Sequence, residues 1–136
     1  MDKRYTEVCE YRINESSRNY KAAQLLFIEE DYLSALNRAY YSVFHIMNAL
    51  LGLDDFNFNS HAAVIAKFRE LYIKTGIFNK NFSKFIGDLF EYRNNSDYTD
   101  LFYATKEETE IQIENAKIFC ETVKPYIEKR IKEING

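Results

Sequence analysis

One proline and four glycines in 136 residues are too few for a barrel or sandwich, whose tight turns draw heavily on both. Only two cysteines are present. Cys9 and Cys120 have no CxxC spacing and cannot build a disulfide framework, so they read as reduced thiols packed as small hydrophobes. No stretch approaches the ~20 apolar residues of a membrane span. The charged N-terminus lacks the apolar core of a signal peptide, which gives the expectation of a cytoplasmic protein. Two histidines far apart, with no grouped cysteines or carboxylates at ligand spacing, give no metal site. The Gly-rich phosphate loop, G-x-S-x-G and any nucleotidyltransferase signature are also missing. The net charge of −3 excludes indiscriminate attraction to nucleic acid, which depends on Lys and Arg neutralising phosphates. A local basic patch is still compatible with it.

What is there in quantity is apolar and aromatic: 46% and 16% of the residues. That rules out a disordered chain and leaves enough material for one domain, residues 1–136, with a real core. The hydrophobic periodicity is helical throughout and predicts five helices. The first lies within 4–29. The second spans 31–52, with Asp31 as N-cap and Gly52 as stop. Its Leu33, Leu36, Tyr40, Phe44, Met47 and Leu51 form a buried stripe. Arg38, Tyr41, His45 and Asn48 form a second, polar and aromatic stripe that must face something else. The third helix starts near Ser60, buries Val64 or Ile65, Phe68, and Leu71 or Tyr72, and ends at Gly76. The fourth begins near Asn79 or Lys80 and turns Phe82, Phe85, Ile86, Leu89 and Phe90 inward. The fifth opens with a Thr105–Glu108 capping box and meets Pro125, where a kink or break is expected. Its apolar side is Ile113, Ala116, Cys120, Val123, Ile127 and Ile131. Short connections make the whole an antiparallel, up-and-down, all-α bundle.

The fourth helix carries the most informative stretch, "EYRNNSDYTD" over residues 91–100. Continuing its buried row by fours from Leu89 leads to Arg93 and then Asp97. The core-facing row therefore turns polar at its C-terminal end, and these residues should line a crevice or an interface. Asn94 and Asn95 beside them fit helix-end roles or hydrogen bonds to a ligand. Asp97 also has the spacing to pair with Arg93 and neutralise it.

"DYLSALNRAYYSVFHIMNALLG", "SHAAVIAKFRELYIKTG" and "LFEYRNNSDY", in that order and spacing, resemble the HEPN domain family over about residues 15–130. The resemblance implies a helical bundle, commonly a homodimer. It further implies pairing with a small nucleotidyltransferase, the two forming a toxin–antitoxin module. It also implies metal-independent RNA cleavage by an R-x4-6-H motif at the end of the fourth helix, with no cofactor. The matching arginine is Arg93, but positions 98–100 hold Tyr98, Thr99 and Asp100, so the motif histidine is missing. Moving a proton from a 2′-hydroxyl needs a group of near-neutral pKa, and a tyrosine at about 10 is a poor base. Arg93 could still grip phosphate with its planar fork. Asp97 would then orient Arg93 or a 2′-hydroxyl, and Tyr98 would contribute a hydroxyl. The family also carries a modifiable tyrosine near its histidine, and Tyr98 lies two positions from that register.

Outside this stretch, Arg38 and His45 share a face of the second helix. Arg38 could bind an anion there, and His45 is a candidate for the absent acid–base group. His61, just after Ser60, reads as a neutral structural residue, since a charged imidazole is disfavoured at a helix N-terminus. Tyr40, Tyr41, Tyr92 and Tyr98 read as core, with a base-stacking platform or an interface as the other uses. The expected function is the HEPN component of such a module, binding RNA or a nucleotide around Arg93. The alternative is a non-catalytic accessory subunit that binds a nucleotide or a partner nucleotidyltransferase.

Overall fold

The computed structural model describes residues 3–98 and 103–136, and in the fourth helix it describes side chains as far as Asn95. The described residues form five α-helices and no strand: α1 (Lys3–Ile28), α2 (Tyr32–Leu53), α3 (His61–Phe68), α4 (Asn81–Tyr98) and α5 (Lys106–Asn135). A π-helical turn, Arg69–Ile73, prolongs α3. The fold is the expected all-α bundle.

α2 is the axis of the bundle and packs against all four other helices. That explains why its burial extends well beyond one stripe, taking in Ala35, Ala39, Val43, Ile46, Ala49 and Leu50 as well as Leu36, Tyr40, Met47 and Leu51. α1 runs back along it after a turn whose Glu30 adopts a left-handed φ of 63°. The Asp31 side chain accepts from Ser34 N at 3.3 Å and starts α2 as the sequence suggests. From the outer helices Phe68 and Phe119 are fully buried, each removing an aromatic side chain from water for about 2–3 kcal/mol. Cys9 is buried and Cys120 is half-buried; neither forms a disulfide. Burial pushes both thiols up to about 11, so they stay protonated.

The C-terminus of α2 differs from the sequence reading, and of the kink or break expected at Pro125 the break does not occur. α2 does not stop at Gly52: it runs to Leu53 with Asp54 as C-cap, and Asp55 takes the left-handed conformation at φ 63°. Gly52 answers a different need. A Cβ there would lie 2.6 Å from Arg12 Nη1, and that guanidinium reaches over the helix to donate to Asn48 O at 3.0 Å. α5 passes through Pro125 without a break. Pro125 is exposed, so the carbonyl it leaves without a backbone donor is within reach of water. Phe119 also takes the core position beside Cys120, which stays half-buried. Gly76 does end the third helical segment in the left-handed region, at φ 82°, and Thr105 caps α5 by accepting from Glu108 N at 3.1 Å.

Candidate functional site

α2, the start of α3 and the C-terminal part of α4 meet around Tyr40. This ring is buried at the centre of α2. Phe90 of α4 stacks on it at 6.0 Å and Phe44 of α2 at 5.9 Å. One turn beyond Leu89, the Arg93 guanidinium lies over the same ring, 5.9 Å from its centroid. Arg93 is half-buried, and its Nη1 also donates to Asn94 Oδ1 at 3.4 Å. The apolar row of α4 thus carries its cation into a sheltered aromatic setting, as the sequence predicts. A guanidinium held against a π-face keeps its charge and its donors while its alkyl stem is covered.

His61 also lies against Tyr40, its ring 5.7 Å from the tyrosine ring at an interplanar angle of 15°. Ser60 caps α3 by accepting from Ala63 N at 3.1 Å, which fixes His61 as the first helical residue. Its ring stacks on Phe44 at 4.1 Å and an 18° interplanar angle. Tyr41 approaches edge-on at 6.0 Å. Its Nδ1 is hydrogen-bonded to the Tyr40 hydroxyl at 2.7 Å. Burial and then the positive charge of Arg93, with a further contribution from His45, hold the imidazole pKa below its ordinary value. Burial raises the Tyr40 hydroxyl far above its usual range, so it remains a neutral phenol. The lowered pKa agrees in direction with the neutral His61 of the sequence reading, but the setting is one that the sequence does not reveal: His61 shares Tyr40 with Arg93.

The remaining sequence candidates separate. Arg38 lies over the Tyr41 ring at 4.9 Å and donates from Nη1 to Asn19 Oδ1 at 3.0 Å. The second stripe of α2 is thus partly occupied by polar residues of α1. His45 is half-buried beside it; burial lowers its pKa, Glu15 opposes this, and Arg12 and Arg38 add to it. Arg93 is not among the charges acting on His45. Asn95 lines a hollow of about 330 Å³ with Asp88, Glu91 and Tyr92, an acidic setting that does not suit phosphate. The backbone of α4 continues through Asp97 and Tyr98, but their side chains lie outside the described residues, as do Thr99 and Asp100. Among the described residues no group of three or more His, Cys, Asp or Glu is placed to hold a metal ion. No described helix is long and apolar enough to cross a membrane.

His61 is the residue whose neighbourhood the sequence reading missed. Its contact with Tyr40 spans 21 residues and depends on how α3 docks on α2. The sequence signals for it are its place just after the Ser60 helix start and its being one of two histidines.

The described helices form an all-α bundle whose fourth helix holds a half-buried arginine against a buried tyrosine. The model of the HEPN domain family matches residues 9–129, and the chain belongs to that family. It is 36% identical over 106 residues to a UPF0332 protein of Thermotoga maritima, covering 78% of this chain and 80% of the relative. Two proteins of Methanocaldococcus jannaschii, each named "Putative toxin", are similar over nearly the full length. One is 30% identical across 93% of this chain and 86% of its own. The other is 32% identical across 98% and 96% respectively.

Proposed function

We propose that this single-domain protein is the HEPN component of a toxin–antitoxin or nucleotidyltransferase-linked module, acting in the cytoplasm as a homodimer. It binds RNA in the crevice around Arg93 and cleaves it without a metal. The observation that carries the reading is the placement of Arg93, half-buried over Tyr40 at the polar end of an apolar helix row. Sheltered from bulk water, its fork can hold a phosphate and offset the charge that builds on it during transfer. Similarity to two relatives named as toxins points in the same direction. Asn94 steadies Arg93. Asp97 orients Arg93 or a 2′-hydroxyl, and Tyr98 contributes a hydroxyl or accepts a nucleotidyl group from the partner enzyme.

The test is incubation of the purified chain with single-stranded RNA in excess EDTA. Wild type should cut, and Arg93→Ala should lose at least about 100-fold in rate. Equal background in both proteins overturns the ribonuclease. The absence of histidine from positions 98–100 favours a second reading, an accessory subunit that binds nucleotide or the nucleotidyltransferase without cleaving. On that reading Arg93→Ala weakens nucleotide or partner binding while neither protein cuts. Intact mass after mixing with ATP and a neighbouring nucleotidyltransferase tests modification: an adduct should form and disappear in Tyr98→Phe.

A further inference from the structure

Positions 98–100 hold no histidine, whereas His61 is hydrogen-bonded to the same tyrosine that Arg93 covers. We infer that His61, oriented by the Tyr40 hydroxyl at the start of α3, is the catalytic base for RNA cleavage at a phosphate gripped by Arg93. This inference rests on the proposed RNA-cleaving function.

Three observations converge. The first is orientation. The 2.7 Å hydrogen bond to Tyr40 engages Nδ1, and the Phe44 stack at 4.1 Å fixes the ring plane. Among the described residues none is hydrogen-bonded to Nε2, which leaves that nitrogen for a substrate. A tyrosine hydroxyl can accept from Nδ1–H whether the ring is neutral or protonated, so one geometry serves the base before and after it takes a proton. The second is proximity to the phosphate grip: Arg93 and His61 flank the same tyrosine, and the guanidinium acts electrostatically on the imidazole. The third is charge state. The groups facing His61 are Tyr40, Tyr41, Phe44 and His45 of α2 and Arg93 of α4. Burial and the Arg93 cation hold the imidazole pKa below its ordinary value, which favours the neutral state a base requires. His45, the other histidine, is under the charges of Glu15, Arg12 and Arg38 instead.

In the step itself, His61 Nε2 takes the proton of a ribose 2′-hydroxyl. The 2′-oxygen forms a bond to the adjacent phosphorus, and the P–O5′ bond breaks with its electron pair going to O5′. The 5′-oxygen takes a proton from water, and the resulting hydroxide is neutralised by the proton that imidazolium releases. The products are a 2′,3′-cyclic phosphate and a 5′-hydroxyl end, with no oxidant or metal needed.

The experiment compares wild type, His61→Gln and Arg93→Ala on a fluorescent single-stranded RNA in EDTA, following both cleavage and binding. His61→Gln should slow cleavage by about 10²–10⁴ while binding RNA within about threefold of wild type, and added imidazole should partly restore a His61→Gly variant. Undiminished cleavage by His61→Gln, with Arg93→Ala inactive, overturns the inference and leaves the Arg93 reading standing. Failure of the wild type to cut removes the ribonuclease reading and this inference with it. Should the His61 variants not fold, histidine NMR of wild type with a 2′-deoxy oligonucleotide decides the matter. With the two histidine signals assigned from His45→Gln, the His61 resonance should shift on binding, and an unmoved signal overturns the proposal.

Discussion

Two polar clusters in this protein are built from like parts, an arginine, a tyrosine and a third ionisable group, yet they use charge in opposite senses. At the base of α2, the Asp54 carboxylate accepts two hydrogen bonds from Arg130, at 2.6 and 3.1 Å, and a third from the Tyr72 hydroxyl at 2.7 Å. Every group complements its neighbour: the Arg130 hydrogen bonds, above all, hold the carboxyl below its usual range, and Tyr72 adds to them. At the meeting of α2, α3 and α4, Arg93 and His61 share one tyrosine, and the cation works against protonation of the imidazole. The first arrangement joins α2 to α5 and the turn after α3. In the second, burial and the Arg93 cation hold the imidazole pKa below its ordinary value instead of pairing with it. The first cluster is saturated by opposite charge. The second sets a guanidinium and an imidazole around one phenol, the kind of perturbed setting that suits a site of chemistry more than a clamp.

Breaking the clamp should give the largest effect on stability. The Asp54 and Arg130 side chains are 33% and 23% exposed, between a surface pair of negligible worth and a buried pair worth several kcal/mol. Asp54→Ala should therefore cost about 2–3 kcal/mol in urea unfolding, while the proposed RNA cleavage, per folded molecule, should stay at the wild-type rate. Because the folded pKa of Asp54 is depressed, its contribution is present above the unfolded carboxyl value. It is lost as pH falls through that value toward the lower folded one. The wild type should lose more stability than Asp54→Ala over that acid range. A matching fall in cleavage would erase the distinction between the two clusters.

The tyrosines sharpen the contrast at a smaller scale. Tyr72→Phe removes a hydrogen bond to a charged acceptor and should cost about 1.5–2 kcal/mol. Tyr40→Phe removes one to an imidazole and should cost about 1 kcal/mol or less. The functional order is expected to reverse: Tyr72→Phe leaves kcat alone, and Tyr40→Phe lowers kcat about tenfold with little change in KM, as loss of an orienting group would.

How much of this could be read from sequence follows the range of each interaction. Caps are local, so Asp31, Ser60, Thr105 and Gly76 behave as their residue types require. The row Leu89–Arg93 is local too, and helix periodicity alone sends that arginine toward the core side. Gly52 misleads because its purpose is set by Arg12, 40 positions away, and a helix-ending glycine has the same local signature as one making room for a neighbour. Pro125 does not break α5, because the cost of a proline in a helix depends on its exposure. The clamp from Asp54 to Arg130 spans 76 positions, and the Tyr40–His61 bond depends on how a short helix docks. Neither leaves a trace in the pattern of single elements. Residues shared by three helices are the last thing a one-dimensional reading can recover.

The smallest effect probes the like-charge pairing directly. His61 in the folded protein has a pKa below its ordinary value, so near pH 6 the unfolded chain binds more protons at this position than the native one. Its contribution to stability is fully present above the unfolded pKa of about 6.5 and is lost as pH falls toward the folded value. Replacing Arg93 by Ala removes the cation, raises the folded pKa of His61 and shrinks that loss. The difference in urea midpoint between about pH 7.5 and pH 5 should therefore be smaller in Arg93→Ala than in wild type, and an NMR titration should show the His61 midpoint moving upward. His45 responds to burial and to Glu15, Arg12 and Arg38, so its part cancels in the comparison, and the Asp54 contribution changes only at more acid pH. An unmoved His61 midpoint would mean that guanidinium and imidazole do not feel each other across Tyr40. The two clusters would then differ only in their composition.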